Sequence, residues 1–145
     1  MRHKKVHRVV IFTSLLLSLT VFTPATASVM HCTQKEAKRA EIESSALPNW
    51  SALYEAYRNY AHCDDGAVWE GYSESVVRLL VRNFSECEKL CELTNVDNYF
   101  EQFVIRHIDD TVPREYLDKI MLNVSTNCPS KAKHLCYMIK TAIES

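Results

Sequence analysis

The stretch CDDGAVWEGYSESVVRLLVRN, residues 63–83, decides the fold class. Val68, Tyr72, Val76, Leu79 and Leu80 recur at steps of three and four, the spacing that puts side chains on one face of a helix. Cys63-Asp64-Asp65-Gly66 breaks whatever precedes it, so a helix is expected from about Ala67 to Asn83. Gly66 and Gly71 are the only glycines in 145 residues, and there are only four prolines. Sandwiches and barrels need frequent turn residues, so this scarcity points to an all-α protein.

The same pattern extends outward. Upstream, Asn49 is placed to cap a helix carrying Trp50, Leu53, Tyr54, Tyr57 and Ala61 on one face. Thr33-Gln34-Lys35-Glu36 has the form of a capping box opening a first helix to about Ser44. Downstream, Ser85-Glu86-Cys87-Glu88 repeats that form ahead of a short helix to about Leu93. A further helix from about Val96 carries Tyr99, Phe100, Phe103, Val104 and His107. Asp109 to Pro113 reads as a turn, followed by a helix with Tyr116, Leu117, Ile120, Met121 and Val124. Pro129 fits the first position of a last helix lined by Leu135, Cys136, Ile139 and Ile143. The expected architecture is a compact bundle of six or seven short helices tied by disulfides.

The N-terminus sets the compartment. Arg2, Lys4, Lys5 and Arg8 precede an apolar run from Val9 to Phe22, then Pro24 and the small residues Ala25-Thr26-Ala27. This is the form of a secretory signal peptide over residues 1–27, leaving residues 28–145 as a single all-α secreted domain. Its basic end is of the compact bacterial kind, so the expected location is the periplasm or the medium. The apolar run is short for a membrane span, and no second run follows, so no span is expected in the mature chain. Loss of residues 1–27 removes four of the 17 Lys and Arg and none of the 18 Asp and Glu, leaving a formal charge of −5. Such acidity argues against nucleic acid, whose phosphates require a basic surface, and suits a basic protein partner. It says nothing of oligomeric state.

Export changes the meaning of Cys32, Cys63, Cys87, Cys91, Cys128 and Cys136. In an oxidising compartment disulfides come before zinc or a catalytic thiol. A last helix starting at Pro129 would hold Cys128 and Cys136 about 12 Å apart, beyond the roughly 7 Å that a disulfide spans. Each is therefore expected to pair elsewhere, one of them with Cys63. Cys87 and Cys91 share a helix face and would need a distorted helix to join each other, so Cys32 is expected to reach one of them.

Few residues suggest chemistry. His62-Cys63-Asp64-Asp65-Gly66 is the densest polar cluster, but it lacks the alternating ligands of a calcium loop. His62, Cys63, His134 and Cys136 lack convincing zinc spacing, so neither metal nor cofactor is expected. No G-x-S-x-G elbow occurs, and His107-Ile108-Asp109-Asp110 reads as a helix end. Arg78 and Arg82 read as solvated charges able to pair with Glu74 on an exposed face, and the sequons at Asn49, Asn83 and Asn123 as helix-end residues. The expectation is a non-enzymatic exported protein that recognises another protein through an acidic-aromatic surface of Asp64, Asp65, Trp69 and Glu70. In size, acidity and disulfide-tied helices the chain resembles small periplasmic immunity proteins and enzyme inhibitors. The second reading is a metal-binding or hydrolytic protein using the His62–Asp65 cluster.

Overall fold

Thr33 caps the first helix as its sequence requires. Its Oγ1 accepts the Glu36 N–H at 3.3 Å, and the Glu36 carboxylate accepts the Thr33 N–H at 3.0 Å. The Thr33 hydroxyl, and then its N–H, hold the Glu36 carboxyl below the ordinary carboxylate range. These contacts come from a computed structural model, which describes residues 31–145; the expected signal peptide lies outside the described residues.

Seven α-helices follow: α1 Gln34–Ser44, α2 Trp50–Tyr60, α3 Gly66–Arg82, α4 Cys87–Val96, α5 Asn98–Arg106, α6 Arg114–Thr126 and α7 Lys133–Glu144. No strand occurs among the described residues, and none of these helices is long and apolar enough to cross a membrane. The expected all-α bundle is the observed one. Asn49 accepts the Ala52 N–H at 2.9 Å, and Asp97 accepts the N–H groups of Tyr99 and Phe100, so α5 starts after Asp97 rather than at Val96. The box expected at Ser85–Glu88 does not form. Phe84–Glu86 make a 3₁₀ turn instead, and α4 begins without a side-chain cap.

α3 is the central element and packs on α1, α2 and α6. Its Tyr72, Val76 and Leu80 are fully buried, in one core with Trp50 and Leu53 of α2, Phe100 and Phe103 of α5, Ile120 of α6 and Ile139 of α7. The Tyr72 hydroxyl donates to the Ala56 carbonyl of α2 at 3.0 Å. Against α1, the approach is so close that only glycine fits at position 71: a Cβ there would lie 2.0 Å from Ser44 Oγ and 2.9 Å from Ser44 Cβ. Ser75 donates to the Ser44 carbonyl, and Arg78 donates to the carbonyls of Ser45 (2.8 Å) and Leu47 (2.7 Å). Arg78 is thus no free surface charge. It satisfies carbonyls at the end of α1, where a helix leaves acceptors unpaired.

Two disulfides form, both differing from expectation. Cys32 pairs with Cys63, their Cα atoms 4.9 Å apart, tying the segment before α1 to the turn after α2. Cys128 pairs with Cys136 across a Cα distance of 6.3 Å. The last helix does not begin at Pro129. Pro129 is extended (φ −64°, ψ 147°), and Ser130–Ala132 make a 3₁₀ turn that folds the chain back before α7. Cys87 and Cys91 are buried thiols rather than disulfide partners. Burial, then the neighbouring Cys91, pushes the Cys87 thiol up to about 11, so it stays protonated at neutral pH.

Two outcomes follow from this packing. Gly71→Ala is expected to destabilise the protein by about 1–3 kcal/mol, because Ser44 Cβ and the α1 backbone must shift; urea unfolding measures it. Closing a longer loop restrains the unfolded chain more, so removing Cys32–Cys63 (separation 31) by double Cys→Ala substitution is expected to cost about 1 kcal/mol more than removing Cys128–Cys136 (separation 8). Thermal unfolding of the two variants should rank them in that order.

Candidate functional site

Asp64 lies in the turn between α2 and α3, yet its side chain is only 3% exposed. A carboxylate taken out of water requires partners. The chain supplies two from the end of α5: the Arg106 guanidinium, in a short ion pair with Asp64 Oδ2, and His107 Nε2, at 3.3 Å from the same oxygen. His107 is fully buried. Its other ring nitrogen, Nδ1, is 2.9 Å from Ser73 Oγ of α3.

A carboxylate can only accept, so Nε2 carries the hydrogen shared with Asp64. In the neutral ring Nδ1 then accepts from the Ser73 hydroxyl. The series Asp64–His107–Ser73 therefore has a defined donor direction. Aromatic rings enclose it. Trp69 lies over His107 with centroids 4.2 Å apart, and Phe103 meets it edge-on at 4.5 Å. The Arg106 guanidinium sits 5.7 Å from the Trp69 ring and 5.1 Å from that of Phe103. Beyond Phe103 the contacts continue through Tyr57 and Phe100 to Tyr54, so most aromatics of α2 serve the core.

Ser73 and Trp69 also line a groove of about 330 Å³. α3 forms one wall with Glu70, Glu74 and Val77; Thr111, Val112, Pro113 and Tyr116 form the other. Glu70 and Glu74 are exposed along the rim. A second hollow of about 550 Å³ is lined by His31, His62, Asp64, Asp65 and Gly66 among others.

The residues singled out in the sequence are thus divided. Trp69 and Glu70 share the groove. Asp65 is exposed, and its carboxylate accepts the Gly66 N–H at 2.8 Å where α3 starts. Asp64 borders the second hollow and turns inward to Arg106 and His107. The His62–Asp65 cluster disperses likewise: His62 turns toward Glu36 at 3.7 Å, and Cys63 is bridged. Glu101 lies 3.4 Å from His134, while Cys63 and Cys136 sit in different disulfides. Among the described residues no three His, Cys, Asp or Glu side chains gather as a metal ion would need.

Ser73, Arg106 and His107 did not stand out as site residues in the sequence. His107 fell on the apolar stripe of α5, which marked it as inward-facing, but its partners lie 34 and 43 residues away along the chain. Searches against protein-family models, curated proteins and solved structures found no match for this chain.

Replacing Asp64 tests the network. Asp64→Ala leaves His107 Nε2 and Arg106 without their shared acceptor. It is expected to lower stability by roughly 1.5–3 kcal/mol, the range for hydrogen bonds to charged groups. Chemical denaturation measures the loss, and an unchanged midpoint would show that the ion pair carries no net stability.

Proposed function

We propose that this is an exported binding protein that recognises another protein through the α3 groove. The supporting observation is the groove's make-up. Trp69 and Tyr116 offer the large, rigid rings that anchor protein contacts, Val77, Val112 and Pro113 offer apolar wall, and Glu70 and Glu74 line the rim. Arg78, which reaches the Ser45 and Leu47 carbonyls and lies 4.0 Å from Glu74, and Arg82 line the groove as well, so its rim carries both signs of charge, with Glu70 beside Trp69. The chemistry fits a partner segment with an apolar side chain beside a Lys or Arg. A formal charge of −5 after signal cleavage favours encounter with a basic partner.

Export is part of the proposal. The signal-like N-terminus and the two disulfides support a periplasmic or secreted location. An inhibitor or immunity protein acts by covering its partner and needs no reacting group.

Glu70→Arg and Glu74→Arg change exposed side chains at the groove. The full chain is immobilised, a partner is captured from the exported protein fraction, and the purified partner is titrated against both forms. The double variant is expected to bind at least about 10-fold more weakly, with the difference shrinking at high salt. Equal affinity for the two forms would move the binding surface elsewhere.

A further inference from the structure

The floor of the α3 groove carries a serine with a base behind it. Ser73 lines the groove and is 8% exposed. Its Oγ is 2.9 Å from His107 Nδ1, and His107 Nε2 is 3.3 Å from Asp64 Oδ2. We propose that Ser73 is a nucleophile toward small esters, with His107 as its general base and Asp64 as the residue that orients His107.

The geometry meets the two requirements of an activated hydroxyl. The base lies within hydrogen-bond reach of the nucleophile, and a third group fixes the base's tautomer. The ring nitrogens are exchanged relative to the serine-protease arrangement, but such a triad is defined by geometry and role. Ser73 Oγ attacks the ester carbonyl carbon, and its proton passes to His107 Nδ1. The bond to the alcohol oxygen breaks, and the alcohol leaves with that proton. Water then attacks the acyl-Ser73 carbonyl, again giving a proton to Nδ1. Ser73 Oγ recovers it as the carboxylic acid departs.

The same structure limits the rate. Ser73 lies inside α3, where backbone N–H groups are engaged in the helix ladder, so no neighbouring pair is free to hold an oxyanion. A single oxyanion donor is worth about 10²–10³ in rate. Arg106 also shares the Asp64 carboxylate and weakens its support of an imidazolium. Slow, nearly stoichiometric acylation is the expected behaviour rather than rapid turnover. Val77, Val112 and Tyr116 suit a short apolar acyl group.

The test uses the full chain, expressed with its disulfides and treated with a biotinylated fluorophosphonate at pH 8. One adduct per chain is expected, mapped by fragment mass spectrometry to Ser73 and not to neighbouring Ser75, and absent when the protein is first denatured. Ser73→Ala is expected to abolish the adduct. His107→Gln, checked for fold by circular dichroism, is expected to slow labelling about 10²-fold. If His107→Gln does not fold, the adduct map on the native chain decides alone. No adduct after prolonged exposure, or an adduct on another residue, overturns the proposal and leaves the network structural. Labelling of folded His107→Gln at the native rate overturns the base role.

Discussion

Asp64 is the constraint around which this molecule is arranged. A carboxylate with 3% exposure is stable only where charge and hydrogen bonds compensate for lost water. Both compensating groups come from the end of α5, so the α2–α3 turn must sit against it. Cys63, the preceding residue, is bridged to Cys32, which holds the same turn to the segment before α1. A single junction thereby joins α1, α2, α3 and α5. It also sets the direction of the His107 hydrogen bonds, because a neighbour that can only accept determines which ring nitrogen carries hydrogen.

α3 conveys that junction to the rest of the bundle. One of its faces approaches α1 so closely that Gly71 is required, and Arg78 completes the contact by donating to the Ser45 and Leu47 carbonyls just past α1. Another supplies the core through Tyr72, Val76 and Leu80, and a third forms the groove wall. The groove is therefore built on a helix buttressed from behind, which suits recognition by a preformed surface. The Cys128–Cys136 bridge lies at the other end of the chain, where it steadies the reversal into α7.

The proposed protein recognition and the proposed nucleophilic Ser73 concern the same groove at different depths. The rim bears the charged side chains Glu70, Glu74, Arg78 and Arg82, while Ser73 lies on the floor. A partner held at the rim would cover the serine, and a small ester would reach it only while the groove is open.

Helix periodicity, the Thr33 and Asn49 caps and the scarcity of glycine made the all-α class legible in the sequence, because each depends on residues within a turn or two of one another. The same spacing left Trp69 and Glu70 off the α3 stripe, and both line the groove. The disulfide map was not. The expected pairing assumed a helix from Pro129, but an extended proline and one 3₁₀ turn bring Cys128 to Cys136 instead. Nor was the direction of Asp64. Asp64 and Asp65 are adjacent and chemically identical, yet one caps α3 in water and the other is buried in an ion pair. Residues near in sequence decided the helices and their caps, since those hydrogen bonds are local. Only the meeting of the α2–α3 turn and Ser73 with the end of α5 decided which carboxylate turned inward and which serine met a histidine, because those partners are separated by 34 to 43 residues.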